Sequence, residues 1–252
     1  MSNIIAIAGK GGTGKTTFAS LVIRALKEEN AGSILAIDAD PNSNLGELLG
    51  VKDISTIVDI IDDISKDPDQ VPKGMTKDRF INLKVQESLN EEDGFDLLSM
   101  GRPEGPGCYC FVNNMLRALI TKLMKNYSHV VIDNEAGMEH LSRRLVRDID
   151  RLFMISDSSV IGIRAAARIS KLVDELKVKT KERSLILNKS KGDLGPLRAE
   201  IDKVGLNLKI VLPQNAEIED AAINNKSVFE LKDNVLLNTI KETIKIPVAE
   251  KR

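Results

Sequence analysis

Ile4-Ile5-Ala6-Ile7-Ala8-Gly9-Lys10-Gly11-Gly12-Thr13-Gly14-Lys15-Thr16-Thr17 is the stretch whose reading decides the fold. Its first five residues are apolar and rich in β-branched side chains, the pattern of a parallel strand buried on both faces. The rest fits G-x-x-x-x-G-K-[ST], with Gly9, Gly14, Lys15 and Thr16 in the fixed positions of a phosphate-binding loop. Phe18, Leu21, Val22, Ala25 and Leu26 follow at helical spacing, so the motif sits between a strand and a helix. In that setting Gly9, Gly11, Gly12, Thr13, Gly14, Lys15, Thr16 and Thr17 form a candidate phosphate cradle. Backbone N–H groups curl round the anion and the helix N-terminus adds partial positive charge. Lys15 would reach the β- and γ-phosphates and the Thr16 hydroxyl would ligate Mg²⁺.

Composition narrows the class. Among 252 residues, 36 are basic and 37 acidic, giving a formal net charge of −1. A nucleic-acid binder would show a basic excess or stripe, so no nucleic-acid partner is expected. The apolar runs are too short for a membrane span and no signal-peptide pattern opens the sequence, so a soluble, cytoplasmic protein without a membrane partner is expected. Two cysteines separated by one residue do not make a disulfide framework.

Seven strand-like runs alternate with helical ones, at 3–8, 33–38, 95–100, 128–133, 151–156, 183–188 and 207–212. This rhythm predicts an α/β fold: one domain over 1–252, with a mostly parallel sheet of seven or eight strands and helices on both faces. Ligands of such sheets bind beyond the carboxyl ends of the strands, where the candidate residues fall. Residues 52–94 are the least regular, with two Asp-rich helical patches and a run at 79–89 that reads as helix or strand. They are expected as an insertion on the ligand-side rim.

Lys10 opens a K-G-G-x-G-K-T run. The run resembles the deviant phosphate-binding loop of the nitrogenase iron protein, MinD/ParA and arsenite-pump ATPases, a group of P-loop NTPases. The resemblance implies that Lys10 crosses a homodimer interface to the partner's phosphates, with the logic of an arginine finger. Asp38-Ala39-Asp40-Pro41 looks like the family's first switch. By that resemblance Asp38 holds the Mg²⁺ hydration shell and Asp40 orients and activates the attacking water; Asp40 and Asn42 as simple turn formers are the alternative. Asn44 reads as the cap of the helix that follows. Asp133-Asn134-Glu135-Ala136-Gly137 matches the second switch, with Asp133 on a Mg²⁺-bound water and Gly137 sensing the γ-phosphate. Asn188 resembles the family's adenine-contacting asparagine, and the Pro213-Gln214 backbone would line the other side of the base. A guanine reader of the N-K-x-D kind needs an acid where this chain has Lys191, so ATP/ADP is favoured. His129 reads as structural. His140 reads either as a coupling residue or, in preference, as a helix-surface or interface residue. The C-terminal segment around Val235 and Ile244 lacks the aromatic, Lys/Arg-rich face of a membrane-targeting helix.

Cys108 and Cys110 lie at the entrance of a helical run, where the helix's positive end favours thiolates. Two thiolates are too few for a closed Zn²⁺ or Ni²⁺ site, whereas two from each chain of a two-fold dimer complete four; a pair of buried or redox-active cysteines is the alternative. The run 101–110, Gly-Arg-Pro-Glu-Gly-Pro-Gly-Cys-Tyr-Cys, resembles the CooC-type ATPases, accessory proteins of nickel insertion, as does 135–140. That resemblance implies an ATPase that binds Ni²⁺ (or Zn²⁺) across a homodimer. Its client would be carbon monoxide dehydrogenase or acetyl-CoA synthase. The alternatives are a ParA/MinD-like positioning ATPase and an iron–sulfur cluster carrier.

Overall fold

The computed structural model describes residues 2–101, 118–135 and 148–245. Its centre is a single eight-stranded sheet of β1 (Asn3–Gly9), β2 (Ile34–Ala39), β3 (Asn90–Glu92), β4 (Phe95–Ser99), β5 (His129–Asn134), β6 (Asp148–Asp157), β7 (Lys179–Ser190) and β8 (Leu208–Pro213). The spatial order is β3-β4-β2-β5-β1-β6-β7-β8. Every neighbouring pair is parallel except β3 with β4. All seven expected strands are present. The eighth, β3, is a three-residue antiparallel edge strand carrying no apolar pattern. A hairpin through Asp93-Gly94 makes it, with Glu92 opposite Phe95.

Among the described residues the α-helices are α1 (Lys15–Glu28), α2 (Leu45–Leu49), α3 (Ile57–Lys66), α4 (Lys77–Glu87), α5 (118–124), α6 (Val160–Glu175), α7 (Gly195–Val204), α8 (Ala216–Ile223) and α9 (Asn234–Ile244). They form two layers because successive strand residues face opposite sides. Ile5 and Ile7 of β1 join Val131, Phe153 and Ile186 on the face covered by α1, α2 and α9. Ala6 and Ala8 join Leu35, Ile132, Met154 and Leu187 on the face covered by α3, α4, α5 and α6. Both faces are dry, which is why the central strands read as continuous apolar runs rather than alternating ones. On the first face Phe18 meets Phe153 edge-on, ring centroids 5.5 Å apart.

Residues 52–94 differ from the expected irregular rim insertion. Thr56 and Thr76 cap α3 and α4, their side chains accepting from the backbone N–H groups of Asp59 and Arg79. Ile57, Ile61, Ile64, Phe80, Ile81 and Val85 are buried with Leu98, Ile120 and Met124. The stretch is therefore part of a helical layer. Its short apolar stripes are masked in sequence by the Asp and Lys residues on the opposite helix faces.

At the other end Arg24 Nη1 donates to Val228 O at 2.6 Å and Leu231 O at 2.9 Å, pinning the chain before α9 against α1. Arg151 donates to Ile244 O and Lys245 O at the C-terminus of α9. No described helix is long and apolar enough to cross a membrane.

Candidate functional site

The carboxyl ends of β1, β2, β5 and β7 converge beside the N-terminus of α1. β1 lies between β5 and β6, and a Cβ on Gly9 would stand 2.3 Å from Ile155 O. Only glycine lets the chain leave the strand that close to its neighbour. Thr13 Oγ1 donates to Lys10 O at 2.8 Å, folding the loop on itself. Gly14 then starts α1 in the left-handed conformation at φ +92°, and no side chain caps the helix. The first-turn N–H groups of α1 thus have no side-chain partner, as an anion site at a helix N-terminus requires. Lys15 is only 7 % exposed, whereas Lys10 is exposed.

Asp38 and Asp133 face one another in register across β2 and β5, and both are fully buried. Asp38 Oδ1 accepts from Asp40 N–H at 3.2 Å and Oδ2 from Leu45 N–H at 2.8 Å. It organises the loop 40–44 and caps α2 from a distance. Asn44 makes no side-chain cap, contrary to expectation, because its backbone is helical (φ −87°, ψ −10°) and Asp38 has taken the first amide. Burial raises the Asp38 carboxyl to about 6 against the pull of those two N–H groups, and the Asp40 charge adds to the rise. Asp133 goes further, to about 7, first through burial and then through the charge of Asp38; Thr16 and Lys15 pull it down. Neither Asp133 oxygen accepts a hydrogen bond of ordinary geometry, although the Thr16 hydroxyl is close enough to favour the ionised form.

Two buried, unpartnered carboxylate oxygens beside a threonine hydroxyl and a buried lysine fit a Mg²⁺-nucleotide site. Among the described residues no three His, Cys, Asp or Glu side chains group closely enough to hold an ion by themselves. The remaining ligands would be Thr16, water and phosphate, as a magnesium ion prefers. Asp38 has its oxygens engaged by backbone, so Asp133 is the better placed of the two.

Asp40 is half-buried, and its Oδ1 accepts from Asn42 N–H at 3.0 Å and Asn42 Nδ2 at 2.9 Å. The turn-forming arrangement is present, and it holds the carboxylate near enough to raise both Asp38 and Asp133. Asn188 lies at the end of β7, but its amide nitrogen donates to Thr13 O at 2.9 Å rather than pointing freely toward a base. Lys189, which sequence reasoning passed over, donates to Gly12 O at 3.2 Å. Pro213 ends β8 opposite Ser190, and Gln214 N–H donates to Ser190 O at 3.4 Å, so the two halves of the expected base pocket are adjacent. Asn134 was also missed: its Nδ2 donates to Ile7 O at 2.9 Å and ties β5 to β1 just below the site. His129 accords with a structural reading, buried at the far end of the sheet, its Nδ1 3.2 Å from Asn3 Nδ2. Gly137, Cys108, Cys110 and His140 lie outside the described residues.

Comparison with known proteins gives the chain's family and fold. The family model for the CobQ/CobB/MinD/ParA nucleotide-binding domain matches residues 4–228. An uncharacterized ATP-binding protein of Methanocaldococcus jannaschii is 47% identical over 234 residues, 92% of this chain and 92% of its own. The carbon monoxide dehydrogenase accessory protein CooC of Rhodospirillum rubrum is 30% identical over 187 residues, covering 70% of this chain and 71% of its own. Among solved structures, a ParA family ATPase from Chlorobium tepidum superposes with a TM-score of 0.71 at 21% identity, covering 96% and 97% of the two chains. The MinD cell division protein of Aquifex aeolicus gives 0.70 at 18% over both full chains. At that identity the structural matches establish the fold alone.

Proposed function

The chain belongs to the CobQ/CobB/MinD/ParA nucleotide-binding family, and from that premise we propose that it is an ATP-hydrolysing metal-delivery protein that works as a homodimer. What carries the reading is Asp133, a buried carboxylate without a hydrogen-bond partner, next to Thr16 and Lys15 at the mouth of the phosphate loop. Such a group is costly to bury unless the protein uses it on a cation.

In this reading the N–H groups of Gly11, Gly12 and 14–16 and the Lys15 ammonium hold the β- and γ-phosphates. Thr16 and Asp133 would hold Mg²⁺, directly or through water, and the ion would supply electrostatic stabilisation to the phosphate oxygens. Asp40 positions and deprotonates the attacking water, its orientation fixed by the Asx turn with Asn42. Lys10, exposed at the start of the loop, serves the nucleotide of the partner protomer. Asp38, holding the Asp40 and Leu45 amides, couples the site to the loop 40–44, and Gly137 would couple it to the segment after β5. Asn188 with the Pro213-Gln214 turn flanks the base.

The similarity to CooC of Rhodospirillum rubrum, a carbon monoxide dehydrogenase accessory protein, directs the output toward that enzyme, and the resemblance of 101–110 to nickel-insertion ATPases directs the metal toward nickel. Cys108 and Cys110 supply two thiolates per chain, and a two-fold axis brings four around one Ni²⁺ or Zn²⁺ ion. The ion is cargo, handed on to carbon monoxide dehydrogenase or acetyl-CoA synthase when ATP turnover reverses the dimer's state. Anaerobic Ni²⁺ titration of the parent and of the Cys108→Ala/Cys110→Ala variant tests this. Loss of binding in the variant supports it, and equal affinity refutes it.

A positioning role is the second reading, favoured by the 25% identity over 231 residues to MinD of Thermotoga maritima. It predicts ATP-dependent sedimentation with lipid vesicles or duplex DNA, which the metal-delivery reading does not.

A further inference from the structure

Two bonds tie the phosphate loop to a strand that is not part of it. Asn188 Nδ2 donates to Thr13 O at 2.9 Å and Lys189 Nζ donates to Gly12 O at 3.2 Å, across about 175 residues of sequence. Consecutive residues of a strand normally send their side chains to opposite faces. Here both reach one loop, because Lys189 has left the strand conformation at φ +54°, a left-handed backbone uncommon for lysine. The fit over the loop is close: a Cβ on Gly14 would stand 2.4 Å from Asn188 Nδ2.

The geometry of the peptide group gives these bonds a consequence. In a trans peptide the C=O of one residue and the N–H of the next point in opposite directions within one plane. Holding Thr13 O toward β7 therefore turns the Gly14 N–H away from β7. Holding Gly12 O fixes the plane whose N–H, on Thr13, closes the loop onto Lys10 O at 3.4 Å. We propose that Asn188 and Lys189 are positioning residues of the nucleotide site, which hold the Gly12 and Thr13 carbonyls so that the loop keeps its anion-binding shape before any ligand arrives. The residue expected to touch the base thereby also shapes the phosphate cradle, and the two ends of the site become coupled. The inference rests on the reading of 9–17 as a nucleotide site, and it assigns Asn188 a role that does not require a base.

Inorganic tripolyphosphate, which has phosphates and no base, separates the two roles. Asn188→Ala is expected to weaken tripolyphosphate about tenfold, for one lost hydrogen bond within a preorganised loop, and ATP by at least that factor because Asn188 also flanks the base. Lys189→Ala is expected to weaken both about threefold, and Lys189→Arg, which keeps a donor, to restore them. Amide hydrogen exchange of the peptide spanning 10–14 in the ligand-free protein should quicken in both alanine variants, with melting temperatures within a degree or two of the parent. Weakened ATP binding with unchanged tripolyphosphate binding would overturn the proposal, as would unaltered exchange of the loop. A parent that binds neither ligand would defeat the nucleotide reading itself, while the exchange measurement would still decide the role of the two residues.

Discussion

Asp133→Asn should make the ligand-free protein more stable, and only at neutral or alkaline pH. Asp133 titrates at about 7 in the folded chain against an ordinary value of 3.8. A carboxyl whose folded pKa lies above its unfolded value destabilises the fold, because above pH 3.8 the unfolded chain gives up a proton that the folded chain retains or releases at a cost. The penalty grows from about pH 4 to about pH 7 and is complete above that; three pKa units correspond to about 4 kcal/mol. Asparagine keeps the shape and removes the charge. Its buried amide wants a partner, and the Asp38 carboxylate opposite can accept from it, so about half of the gain should survive, on the order of 2 kcal/mol. For a chain of this size that is a rise of about 4–8 °C in Tm. Calorimetry in EDTA without nucleotide, at pH 5 and pH 8, reads the effect directly. The variant should melt higher than the parent at pH 8 and level with it at pH 5. Adding Mg²⁺ and ADP should then stabilise the parent more than the variant. Equal destabilisation at both pH values would show that Asp133 is held by favourable contacts in the folded state, and the reasoning from its burial would fail.

Lys10→Ala should lower ATP turnover by about 10³-fold or more while a single chain still binds nucleotide, read by steady-state kcat alongside calorimetric Kd; a proportional loss of binding would place Lys10 in its own protomer's site. Asp40→Ala should cut kcat by about 10²–10⁴-fold with ATP binding intact, and unchanged turnover in a phosphate-release assay would leave Asp40 as a turn former only. Ile61→Ala in α3 should cost about 2–5 kcal/mol in urea unfolding, since Ile61 is buried in the helical layer. A cost near zero would return 52–94 to the rim.

The parts legible in the sequence were those governed by local rules. The phosphate loop could be read because its spacing and its strand–helix setting are both local. The central strands could be read because burial on both faces leaves continuous apolar runs such as Val130-Val131-Ile132. The helical layer of 52–94 was misjudged because α3 and α4 have narrow apolar stripes between charged faces, and only the packing of Ile61 against its neighbours shows which face is inside. β3 carries no apolar signal, and the Asp93-Gly94 turn was the one local cue to it. At the site, Asp38 and Asp133 were found as strand-end carboxylates. Their division of labour was not, because it depends on where the Leu45 and Asp40 amides come to lie. Lys189 was invisible for the same reason: its contact with Gly12 joins residues brought together only by the order of β1, β6 and β7 in the sheet.

The central claim is that nucleotide turnover and metal binding are both completed between two copies of the chain. The most direct test is the mass and metal content of the anaerobic protein, measured by light scattering and elemental analysis after gel filtration with Ni²⁺ and either ATP or ADP. The account predicts a nucleotide-dependent dimer with one nickel ion per two chains. A chain that stays monomeric while hydrolysing ATP at its full rate and holding one ion of its own would contradict it.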